Sequence, residues 1–261
     1  MENVINLNEA IQIFKNYVAN YDVNEPKIAL KIAHTYRVME RARSLAQSLK
    51  LDPEDVELAS LIGLLHDIGR FEQLKRYNSY FDNQTVDHAK LGLEVLTENN
   101  FILEFVNDEK LQKIIYKAIF NHNKYKIEDG LEKRELMHAK IIRDADKIDI
   151  FNTGLIESFE AFICTSKEIL ENSTISKEVY QTFMENKSVL SSERKTPLDY
   201  WVSFLAMIFD LNYDYSYCYI YDHNYVNKLI DRLDYCNFET KEMMKKIKKC
   251  GNDFLKDKAG R

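Results

Sequence analysis

Apolar positions recur every three or four residues along most of the chain, so the pattern predicts helices. Over 7–21, Ala10, Ile11, Ile13, Phe14, Tyr17 and Val18 share one side. Pro26 opens a second helix over roughly 27–49, where Leu30, Val38, Ala42, Leu45 and Leu49 form a stripe. A third spans 53–69, with Asp52 placed to cap it, Pro53 suited to its first turn, and Glu54 and Asp55 at its positive end. Periodicity lapses over 70–85, RFEQLKRYNSYFDNQT, an unusually long connection of the kind that makes lids and binding loops. Thr85 is placed to cap a helix over about 86–98, and Asp108 another ending near 122. After the loop NKYKIEDG comes a helix over about 132–152, and 155–171, 176–187, 197–213, 222–235 and 239–256 also read as helical. No repeat, linker or low-complexity segment intervenes, so the expectation is a single all-α domain over 1–261 with an internal boundary near 153.

Composition supports the helical reading. Seven glycines and three prolines in 261 residues are too few for a fold rich in hairpins. The net charge of −6 argues against an extended nucleic acid or an anionic membrane as partner, while leaving room for a local phosphate site. The four cysteines, Cys164, Cys218, Cys236 and Cys250, lie far apart with no C-x-x-C pair, as expected of reduced thiols in a cytoplasmic protein. The opening MENVINLNEA is polar and does not read as a signal peptide, and WVSFLAMIF at 201–209 is too short to span a bilayer.

The candidate chemistry begins with LIGLLHDIGR at 61–70. His66 and Asp67 sit in an otherwise apolar run, where an ionised carboxylate costs several kcal/mol without a positive partner. The short link between 27–49 and 53–69 predicts an antiparallel hairpin. His34 lies fifteen residues before the end of the first helix and His66 thirteen after the start of the second. At about 1.5 Å per residue the two imidazoles are level to within roughly 3 Å. His34 also falls on the buried stripe between Leu30 and Val38. In IIRDADKIDIF at 141–151, Asp146 sits one turn from Ile142 and from Ile150, on an apolar face. Neutral imidazoles with carboxylates suit Mn, Fe, Co, Ni or Zn.

The order His34, His66-Asp67, Asp146, carried mainly by LLHDIGR and DADKID, resembles the HD superfamily of metal-dependent phosphohydrolases. The resemblance covers about 27–152 and leaves 153–261 outside it. It implies an all-α HD-domain helical bundle, with additional C-terminal helices packed on it, and a divalent metal on His34, His66, Asp67 and Asp146. Some subgroups, cyclic-dinucleotide phosphodiesterases among them, hold a second metal with added histidines. At comparable points here stand His88, in VDHAKLG, and His122, in IFNHNKY, and the resemblance implies that Asp67 would bridge if two ions are held. The doublet histidine of the HD-GYP subgroup is Asn123, and no Gly-Tyr-Pro follows, which places the chain outside that subgroup.

The expected function is a divalent-metal-dependent phosphohydrolase that cleaves a phosphate ester of a nucleotide or other small phosphorylated metabolite with metal-activated water. Asp67, Arg70 and Lys147 are the expected catalytic residues, the two cations as phosphate contacts, with Arg37 a further candidate. Lys75, Arg76, Phe71, Tyr77, Tyr80 and Phe81 of the 70–85 segment are placed to clamp a phosphate or stack a base, or else to cover the core. The alternatives are a metal-bound nucleotide-sensing module without turnover and a di-iron oxygenase. The partner is a small phosphorylated molecule, and the C-terminal helices are open to walling the pocket or forming a homodimer. His138 and His223 read as structural, Asp144 and Asp149 as ligand-orienting or surface groups, and KKIKK at 245–249 as a solvated helix face.

Overall fold

The computed structural model describes residues 5–261; the first four residues of the polar opening lie outside the described residues. Every regular element among the described residues is helical. By packing, the chain divides into two compact units, 1–146 and 147–261, a division seven residues before the boundary near 153 and inside a helix.

The first unit opens with α1 (Leu7–Val18), capped by the Asn6 side chain on the Glu9 amide. In α2 (Pro26–Ser48) Pro26 sits in the first turn and Glu25 accepts from the Ile28 amide. α3 (Pro53–Leu65) also starts on a proline, although Asp52 stands at its cap position without a side-chain bond. The α2–α3 hairpin is tight because Gly63 leaves room: a Cβ there would come within 2.7 Å of the Met39 Cα. Val38, Ala42, Leu45, Leu58, Leu61, Ile62 and Leu65 fill the seam, each at most 1% exposed.

The 53–69 helix of the sequence reading stops at Leu65, and the 70–85 connection is largely helix. His66, Asp67 and Ile68 form a turn in which Ile68 donates to the Leu65 carbonyl and Arg70 to that of Asp67. α4 (Gly69–Tyr77) comes next, with Phe71 buried edge-on to Phe14 at 5.8 Å, so this aromatic belongs to the core and does not face a ligand. Asn78, in the left-handed region, ends α4. α5 (His88–Thr97) is capped by Asp87, not Thr85, whose hydroxyl bonds the Phe81 carbonyl instead. A 3-10 segment, Glu98–Glu104, leads to α6 (Glu109–His122), which Asp108 caps as expected. α7 (Lys133–Ile156) gives its residues to 146 to this unit and the rest to the next.

The second unit is more broken than its periodicity suggested. The 155–171 stretch is α8 (Phe159–Ile163) and α9 (Lys167–Asn172), each begun by a capping serine, Ser158 and Ser166. Then come α10 (Lys177–Met184) and α11 (Pro197–Leu205), the latter with a 3-10 extension over Ala206–Asp210. α12 (Asp214–Asp222) and α13 (Tyr225–Ile230) are parted by Asn224 at a φ of 58°, and α14 (Phe238–Lys258) completes the unit. Its core gathers Ile148, Phe151, Phe159, Phe183, Trp201 and Ile220. The KKIKK lysines Lys245, Lys248 and Lys249 pair with Glu242, Asp231 and Asp253. No helix among the described residues is long and apolar enough to cross a membrane.

Candidate metal centre

Each expected ligand in the first unit occupies a fixed point in the helical frame. His34 lies mid-α2 on its buried side, His66 caps the C-terminus of α3, and Asp67 continues from it into the turn. Asp146 comes from α7. The hairpin brings the His34 and His66 ring centroids to 5.3 Å. His34 Nε2 is 3.2 Å from Asp146 Oδ1 and 3.6 Å from Asp67 Oδ2; His66 Nε2 is 3.8 Å and 3.6 Å from the same two oxygens. Ligand atoms held about 2.0–2.2 Å from a shared ion stand roughly 3–3.6 Å apart, and three of these four spacings fall in that range.

The other two histidines close on the opposite oxygen of the same carboxylate. His88 opens α5 and His122 ends α6, and their Nε2 atoms lie 3.4 and 3.7 Å from Asp67 Oδ1. The Asp67 carboxylate therefore gives Oδ2 to the His34–His66–Asp146 group and Oδ1 to the His88–His122 pair.

The protons of these rings decide whether the residues fit a metal. His66 Nδ1 is 2.7 Å from the Gly63 carbonyl, His122 Nδ1 is 2.7 Å from that of Ile119, and His88 Nδ1 is 2.5 Å from Asp82 Oδ2. All three partners are acceptors, so Nδ1 carries the hydrogen and Nε2 keeps a lone pair directed inward. His66 Nε2 is buried with no hydrogen-bond partner. His88 Nε2 and His122 Nε2 face each other at 2.9 Å, two lone pairs that repel unless positive charge lies between or beside them. The donor set fits a divalent ion at each end of Asp67.

Electrostatics point the same way. Burial, opposed in part by Asp67 and Asp146, pushes the His66 imidazole down to about 4. Burial and the Arg70 charge bring His88 to about 4. Both are then neutral ligands near pH 7. Burial acts to raise Asp67 and Asp146, but neighbouring positive and imidazole groups outweigh it and keep both carboxyls ionised, Lys31 foremost for Asp67 and His34 for Asp146.

The expected cations each lie against acidic partners within the protein. Arg70 Nη1 donates to Gln73 Oε1 (2.7 Å), the Tyr80 carbonyl (2.7 Å) and Asp82 Oδ1 (2.8 Å), while Nε lies 3.6 Å from Asp67 Oδ1. Lys147, in the second unit, sits 3.0 Å from Asp210. Lys75 and Arg76 pair with Glu72, and Tyr77 is exposed. His138 is buried against Asp55 at 2.9 Å, and His223 stacks on Tyr219, both outside the cluster as expected. Asp144 and Asp149 are buried, and Thr153 donates to Asp149 at 3.2 Å.

Two participants escaped the sequence reading. Lys31, one turn before His34, places its ammonium 2.7 Å from Asp67 Oδ2. A cation three residues ahead of a ligand histidine was the available signal. Asp82 holds His88 from an irregular stretch, where no periodicity marks it.

Residues 32–150 match the family profile of the HD domain. No curated protein and no solved structure matches the chain. The matched stretch, residues 32–150, contains all six ligand candidates, so in this part the chain is similar to the HD domain.

Proposed function

We infer that the protein is a divalent-metal-dependent phosphohydrolase acting on a phosphate ester of a nucleotide or another small phosphorylated metabolite. The observation that carries this reading is the division of Asp67 between two groups of histidine nitrogens, with Asp146 completing one of them. His34, His66, Asp146 and Asp67 Oδ2 would hold one ion; His88, His122 and Asp67 Oδ1 would hold a second. When bound, such ions polarise a phosphoryl oxygen and make water a competent nucleophile near neutral pH.

The chain's own residues supply the rest. Burial keeps His66 and His88 neutral, and Lys31 foremost keeps Asp67 ionised. Lys31 balances Asp67 and is placed to meet an anionic substrate oxygen, as transition-state charge requires. Arg70 steadies Asp67 Oδ1 and the 78–87 connection, and its side chain is 14% exposed. Of the six ligand candidates, Asp146 has the most exposed side chain, at 17%, against 5% or less for the others. In this reading a small substrate approaches from the Asp146 side.

The test is a panel of phosphomonoesters, phosphodiesters and nucleotides offered to protein loaded with Mn, Fe, Co, Ni or Zn. The expected result is metal-dependent release of phosphate or a nucleotide product from at least one class. Tight nucleotide binding with no product under every metal would overturn hydrolysis in favour of sensing.

A further inference from the structure

Asp82 lies outside both groups of ligands, yet both of its carboxylate oxygens are engaged. Oδ2 faces His88 Nδ1 at 2.5 Å and Asn123 Nδ2 at 3.4 Å. Oδ1 accepts from Arg70 Nη1 at 2.8 Å and from Gln73 Nε2 at 3.0 Å. Gln73 Nε2 also reaches Thr85 Oγ1 and the Val86 carbonyl, so one small network ties α4 to the stretch before α5. Asp82, Asp87 and His88 lie close enough together to suggest another ion position. Their bonds say otherwise. His88 Nδ1 is committed to Asp82, and Asp87 is spent on the α5 amides, Asn123 and Lys124.

We propose that Asp82 is a positioning residue that makes His88 a ligand for the second ion. The proposal rests on the two-ion reading of the site. A neutral imidazole has one N–H, and the ring is a ligand only through its other nitrogen. Asp82 retains the hydrogen on Nδ1 and presents Nε2. Without that acceptor the hydrogen has a better place to go, because His122 Nε2 waits 2.9 Å away with its lone pair. A direct His88–His122 hydrogen bond would then consume both donors intended for the metal. The Asp82 network thus opposes a self-satisfied histidine pair, and second-ion binding depends on residues 78–87 being in place.

Asp82→Asn is the sharp probe. Arg70 Nη1 and Gln73 Nε2 both demand an acceptor, so the amide oxygen turns to them and the amide nitrogen turns to His88 Nδ1. That orientation reverses the tautomer at almost no change in volume. Metal-free wild type, D82N and D82E are titrated with Co(II), read by visible absorption and elemental analysis. Wild type is expected to take two equivalents. D82N should keep one and bind the other about 10–100-fold more weakly, with D82E, which restores a carboxylate, in between. The retained equivalent and an unchanged helical circular dichroism spectrum report that D82N is folded. Two equivalents at unchanged affinity in D82N would overturn the proposal alone. One equivalent in wild type would remove the two-ion reading and this inference with it. Side-chain proton–nitrogen spectra of wild type give a check independent of any variant: the His88 hydrogen belongs on Nδ1, and finding it on Nε2 would refute the role of Asp82.

Discussion

At the scale of the residue, the Asp67 side chain turns one oxygen to His34 and His66 and the other to His88 and His122. Asp67→Ala therefore removes a donor from both groups, and the variant is expected to purify without bound metal. Elemental analysis beside wild type decides the matter, equal content being the contrary result. A second expectation concerns acidity. His66 and His88 stay neutral in the fold down to about 4, whereas in the unfolded chain they take up protons near 6.5. Between those values the unfolded state binds more protons, so the fold of chelator-treated protein weakens as pH falls. Both histidines act in the same direction across that window. Melting temperatures of that protein should decline from pH 6.5 towards 4 and be level above 7; a flat profile would mean that the two rings take up protons in the fold as readily as in the unfolded chain. His34, His66, Asp67 and Asp146 were legible in the sequence because helical spacing fixes which side a residue faces. Asp82 was not, since its contacts depend on the path of a non-periodic segment.

At the scale of the element, Gly69 brings α4 and α5 into backbone contact. A Cβ there would lie 2.4 Å from both the Gly92 nitrogen and the His88 carbonyl oxygen. Gly69→Ala is expected to force the two helices apart, cost about 1–3 kcal/mol of stability, and displace His88 from the site. Gly92→Ala is the control: its Cβ would find nothing closer than 3.5 Å, and alanine is the better helix former. Thermal melts and metal content of the pair test this, and equal behaviour would refute it. The apolar period that lapses after Gly69 predicts a loop over 70–85, and the first half of that stretch is helix. Phe71 and Leu74 at a spacing of three were the sign of α4, but a single turn's worth of apolar residues is a weak pattern. The serines that start α8 and α9 were likewise readable as caps inside a stretch taken for one helix.

At the scale of the whole molecule, each unit has its own apolar core, and the division falls between Asp146 and Lys147, within α7. Periodicity cannot register a division inside an unbroken helix. The single tryptophan, Trp201, is buried in the second core and all six ligand candidates are in the first unit. Stripping metal should lower the melting transition seen by helical circular dichroism more than the one seen by Trp201 fluorescence. Equal shifts of one coincident transition would show the units unfolding together. The opposed nitrogens of His88 and His122 have a further consequence for how the purified protein is understood. Two electron pairs pressed together are a standing appetite for any small cation, weakly discriminating by element. The metal found in a preparation will then record the supply in the growth medium, and the ion that serves the cell has to be identified by depletion and replacement.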